Sequence, residues 1–163
     1  MTSNKEVPKQ QYELIKSSRE VVFKYCEKIS PEHYIKAVDG FGRGTICITQ
    51  AHIGRTYIFW LAEFGMKKDV DYPPYESYKN LNDVFQLFEN VNEVVEEFLT
   101  LFGNRMDEKI SGIVTQINKE ITVPAIQLFT HVITHEFHHK GQVMSMSRIL
   151  GYRPPDADII RLP

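Results

Sequence analysis

The stretch THEFHHKGQ, Thr134 to Gln142, contains His135-Glu136-Phe137-His138-His139, which fits the pattern H-E-x-x-H. Its reading decides between a zinc protease and a metal-binding helix bundle. Stepping outward from Leu128 by four and three residues gives the seam Leu128, Val132, His135, His139, Gln142, Met146 and Ile149. Three consecutive positions of an otherwise apolar row are therefore polar. A buried imidazole or amide without a partner costs about 1–3 kcal/mol, so these three side chains need a shared explanation. Residues four apart on a helix stand about 6 Å apart along its axis, near enough for both imidazoles to reach one ion at roughly 2 Å.

Pro124 opens the helix that carries this seam, and Leu150-Gly151 with the following RPP closes it. Three earlier segments show the same alternation of three- and four-residue steps. The first runs from Pro8 through Ile15, Ser18, Val22, Tyr25 and Ile29 and stops at Ser30-Pro31; the loop DGFGRG follows, too glycine-rich for a helix. Thr45 caps the second, whose stripe Ile46, Thr49, Ile53, Tyr57, Trp60, Phe64 ends near Gly65. After DYPPYES the third has the cleanest seam: Leu81, Val84, Phe88, Val91, Val95, Phe98, Phe102. Isoleucine, valine and threonine alternate around Asn118-Lys119, which predicts a small β-hairpin over Lys109 to Val123. The expected fold is all-α, one four-helix-bundle domain over residues 1–163 with a hairpin between the third and fourth helices.

At about 100° per residue, His52 falls inside the apolar arc of the second helix. It faces the same bundle interior as His135 and His139, and the three form a candidate metal site between helices. Imidazoles suit zinc, nickel, iron or copper better than magnesium or calcium; zinc is the default expectation and nickel its rival. Gly141, inside the helix, reads as a place of close helix approach. His131 reads equally as a side chain orienting a ligand and as a surface histidine, while His138 and His33 read as surface residues. Trp60, Tyr57 and Phe59 either wall a substrate pocket or belong to the core.

The protease reading fails on its third ligand. Ser145 stands where a downstream histidine belongs, Gln142 replaces the glycine of the longer signature, and no glutamate follows His139. Asp156 and Asp158 remain as alternative carboxylates. Glu136 lies roughly 100° off the seam, so it reads as a surface carboxylate or at most a tuner of the site.

Composition narrows the remaining classes. The 163 residues are 42% hydrophobic, enough for a sizeable core, and carry a formal charge of −2. Lysines and arginines are scattered, which argues against nucleic-acid binding. Cys26 and Cys47 lack C-x-x-C spacing and read as reduced core thiols. MTSNKEVPKQQ has no apolar signal core and no apolar run reaches roughly 18 residues, so a soluble cytoplasmic protein without a membrane partner is expected. A second apolar stripe, Ile126, Ile133, Phe137 and Met144, predicts a homodimer.

The inward His52, the motif HEFHHKGQ and the closing ILGYRPPDADI together resemble the DinB/YfiT-like metalloprotein family, whose hallmark is H-x-x-x-H-[RK]-G-Q; here Lys140 replaces the commoner arginine. The resemblance spans nearly the whole chain. It implies a four-helix bundle, usually dimeric, with a divalent metal held by three histidines at His52, His135 and His139. Some relatives of the fold transfer low-molecular-weight thiols, including bacillithiol, or isomerise maleylpyruvate with a thiol cofactor, while many have no established reaction. The expectation is a metal-dependent enzyme acting on a small molecule, a thiol S-transferase or a hydrolase, with a low-molecular-weight thiol as the implied cosubstrate. The alternative is a non-catalytic stress-response or binding module whose metal only braces the bundle.

Overall fold

The computed structural model describes residues 6–161. Its helices are α1 (Glu6–Cys26), a short α2 (Pro31–Tyr34), α3 (Ile46–Tyr57), α4 (Leu81–Phe102) and α5 (Ala125–Ile149), with strands β1 (Lys109–Val114) and β2 (Lys119–Pro124) between the last two. Thr45 caps α3 by accepting the Ile48 N–H, as its sequence position predicts. Asn80 and Asp83 cap α4 reciprocally: Asn80 accepts from the Asp83 N–H and Asp83 accepts from the Lys79 N–H. The α4 seam from Val84 to Phe102 is buried. β1 and β2 pair antiparallel, Lys109 opposite Pro124 and Val114 opposite Lys119, with Asn118 in the turn at φ 49°.

α1 and α3 each pack against both α4 and α5, closing a four-helix bundle, while the hairpin lies against α5 and the Ile58–Gly65 segment that follows α3. α5 is therefore covered on two sides. Among the described residues no helix is long and apolar enough to cross a membrane.

Four expectations need correction. α1 ends at Cys26, because Lys28 and Ile29 bond back to Tyr25 and Cys26 in a tighter turn; Ile29 is nonetheless buried, and Ser30 caps α2 by accepting from the His33 N–H. The second helix changes pitch: Ile58–Gly65 continues α3 as a π-helix, and the Met66 N–H reaches back five residues to Leu61. Gly141 is exposed and a Cβ there would meet nothing within 4 Å, so close helix approach does not account for it. Of the terminal seam and stripe positions, Ile149 is 65% exposed whereas Met144 is buried, because the last turns of α5 face Val143, Met144, Met146 and Ser147 inward.

Candidate metal centre

α3 presents His52 and α5 presents His135 and His139 across the α3–α5 interface, so that three ring nitrogens converge. His135 Nε2 lies 3.2 Å from His52 Nε2 and 3.1 Å from His139 Nε2. All three candidate ligand atoms are within 4.8 Å of one another. Two of the rings are anchored from behind. His139 donates its Nδ1–H to Gln142 Oε1 at 2.6 Å, which leaves Nε2 with a lone pair facing the cluster. His52 Nδ1 contacts the Tyr75 hydroxyl at 3.2 Å. His135 Nδ1 is buried with no hydrogen-bond partner among the described residues.

Burial pushes the imidazolium forms down: His52 to about 4, with the charges of Arg43, His139 and Arg55 adding to it, and His135 to about 3, with His139 and His52 adding. His139 is lowered by burial, partly opposed by its bond to Gln142. All three are neutral near pH 7. His135 Nε2 has one in-plane site, a proton or a lone pair, and so cannot pair well with both of its close nitrogen contacts. A divalent cation satisfies all three nitrogens at once, and the donor set is one that zinc and nickel favour.

A cavity of about 780 Å³ opens over His52 and His135, lined also by Phe59, Trp60, Arg43, Arg55 and Tyr75. The π-helical pitch belongs to the segment that supplies Phe59 and Trp60 to this wall. Tyr57 does not line it: it is fully buried and bonds inward. His131 borders the cavity, its ring 5.7 Å from that of His135 and edge-on to Trp60 at 5.3 Å, outside the nitrogen cluster. His138 is exposed, as expected. His33 does have a partner, the Tyr152 hydroxyl at 2.9 Å, which ties α2 to the carboxyl-terminal tail. Asp156 and Asp158 are exposed and stand outside the cluster. Burial raises both cysteine thiols to about 12, consistent with inert core thiols.

Glu136 is neither on the surface nor in the site. It is 5% exposed, its Oε1 accepts from Arg19 Nε at 2.7 Å, and its Oε2 accepts from Arg19 Nη2 at 2.8 Å and from the Tyr57 hydroxyl at 2.5 Å. Both oxygens are committed, so the H-E-x-x-H glutamate has no atom free to take a proton from a molecule at the histidines. Lys140 also turns away from the cluster, lying over the Phe137 ring and donating to Ala157 O at 2.6 Å, which fastens the tail to the bundle. Sequence reasoning missed Arg19, Arg43, Arg55 and Tyr75. Arg19 borders the apolar stripe of α1 at Ser18 and was legible there in principle; the PPY loop and the glycine loop carry no periodicity to read.

The chain is similar to the uncharacterized protein YizA of Bacillus subtilis (strain 168), 25% identical over an alignment of 147 positions that covers 87% of each protein. The DinB family model matches residues 1–163. With the bundle and the three-histidine cluster already in place, that match over the whole length settles the relationship: the chain belongs to the DinB family.

Proposed function

We propose that this chain is a divalent-metal-dependent enzyme acting on a small molecule, with His52, His135 and His139 holding the ion through Nε2 and the adjoining cavity receiving the substrate. The observation that carries this reading is the convergence of three neutral imidazole nitrogens, those of His52 and His135 belonging to the wall of a cavity of about 780 Å³, a volume typical of small-molecule sites. Zinc or nickel, if held by these three imidazoles, would supply Lewis-acid chemistry toward a substrate oxygen or thiol. Gln142 and Tyr75 orient two of the rings, and Trp60 and Phe59 give the cavity an apolar wall. Thiol transfer and hydrolysis both suit such a site. A purely structural zinc usually has four closed protein ligands, and among the described residues the group holds only three.

Metal analysis of the purified, zinc-supplemented protein should give about one ion per chain, lost in His52→Ala, His135→Ala and His139→Ala. A cobalt-substituted sample titrated with 2-mercaptoethanol should change its visible spectrum as the thiolate enters. An unchanged spectrum with full metal content would mean a closed structural site and no metal chemistry.

We also propose a homodimer. Ile126 is 39% exposed beside a groove of about 510 Å³ that Trp60, Ile121, Val123 and Leu128 line, and Ile133 and Phe137 on the same helix are only half-buried.

A further inference from the structure

Two arginines in the cavity are left without a carboxylate. Arg43 comes from the glycine loop before α3, and Arg55 follows His52 by three residues on α3 itself. Among the described residues neither forms an ion pair. Glu63, which lines the same cavity, instead accepts from the Tyr72 hydroxyl at 2.7 Å. Both guanidinium groups gather around one ring: Arg55 lies 4.2 Å and Arg43 5.8 Å from the centroid of Tyr75. Arg55 is held further by Tyr72, 5.1 Å away, and by donating to Pro73 O at 2.5 Å. Tyr75 in turn touches His52, so the arginines and the histidines are linked through a single side chain.

A guanidinium fixed against an aromatic face keeps its planar fork ready and loses little freedom when it binds. It matches a planar or tetrahedral oxyanion through paired N–H donors, which an ammonium cannot do. Near the arginines, Trp60 and Phe59 offer flat apolar surface, their rings 4.9 Å apart and edge to face. We infer that the cavity binds a small molecule carrying an oxyanion, a carboxylate or a phosphate, on a flat apolar body, with Arg43 and Arg55 gripping the anion and Trp60 and Phe59 flanking the body. This rests on the cavity being the substrate site of the proposed metal centre. The arginines thereby select the substrate, and the histidines and their ion lie within reach of its other end.

Trp60 is the single tryptophan of the chain, so its fluorescence reports occupancy of the cavity. The zinc-loaded protein, its metal content measured, is titrated with benzoate, phenyl phosphate and the neutral benzamide. At least one anion should bind about tenfold or more tighter than benzamide, and the tighter of the two identifies the oxyanion. Arg43→Gln and Arg55→Gln should each erase most of that preference while metal content stays as in the parent, and Arg43→Gln should also keep the parent's thermal midpoint. Arg43 is exposed on a loop, so its variant tests the assignment even if Arg55→Gln folds poorly. Equal affinity for anions and benzamide overturns the inference, and so does a preference undiminished in the Arg43→Gln/Arg55→Gln double variant, since the anion then lies elsewhere. A chain that binds no metal yet keeps an arginine-dependent preference overturns the enzyme reading and supports the anion site. A chain that holds its metal without any preference does the reverse.

Discussion

Gln142 explains a letter of the motif that spacing alone leaves unassigned. By accepting the Nδ1–H of His139 it selects the tautomer whose Nε2 faces the cluster. Gln142→Ala should weaken metal affinity by about 10–100-fold in a chelator competition while the fold is kept. Protonation opposes the same geometry. His52 and His135 are neutral in the folded chain down to about pH 4 and about 3, mainly through burial. The unfolded chain takes up these protons already near the ordinary value of 6.5, so the folded state's advantage is whole above that pH. It declines as pH falls from 6.5 toward 4 and 3. Denaturant midpoints of metal-free protein between pH 8 and 4 should therefore fall on the acid side, and a flat profile would contradict the buried neutral cluster. Glu136 acts differently. Glu136→Gln leaves the Arg19 charge buried without its counterion and should cost about 3–5 kcal/mol, read by chemical denaturation, with metal content retained because Glu136 touches none of the three imidazoles.

Glycines mark where an element's surroundings outweigh its own pattern. Gly141 meets no neighbour within 4 Å, so Gly141→Ala should raise stability by about 0.5–1 kcal/mol through helix propensity alone. Gly54 on α3 is the true close approach: a Cβ there would stand 2.6 Å from Leu87 Cδ2 of α4. Gly54→Ala should be destabilising on balance, since displacing half-buried Leu87 costs about 1–3 kcal/mol; thermal melts of the two variants should shift in opposite directions. The sequence could not rank these two glycines, because a helical period shows which residues share a face and not what lies opposite. The long seams of α4 and α5, the Thr45 cap and the hairpin were legible, each being a local pattern. His52, His135 and His139 could be placed on inward faces for the same reason. The π-helical segment was not legible, because its five-residue bonding leaves no period in IFWLAEFG that differs clearly from an α-helix. Glu136 was misread because α5 packs against both α1 and α3, so a residue turned 100° from one seam enters a second interface instead of solvent.

In the whole molecule, the same two-sided burial of α5 decides what a partner or an ion can do. The face that the proposed second copy would cover is narrow, centred on Ile126 and the groove beside Trp60. Light scattering at micromolar concentration should give twice the chain mass, and Ile126→Glu should give a monomer. An ion at the histidines would act across the bundle, since His52 belongs to α3 and the other two to α5, helices joined otherwise by packing and by the Tyr57–Glu136 hydrogen bond. The cluster forms only when those helices dock, so an ion there would favour the folded chain over the unfolded one. At free zinc one hundred times the dissociation constant the folded state gains about 2.7 kcal/mol. At fixed protein concentration, a chelator should therefore lower the thermal midpoint of the parent protein and leave His52→Ala, which already lacks the α3 ligand, where it was. Equal sensitivity of the two proteins to the chelator would mean that the ion does not bridge α3 and α5, and that the nitrogen cluster is not where it binds.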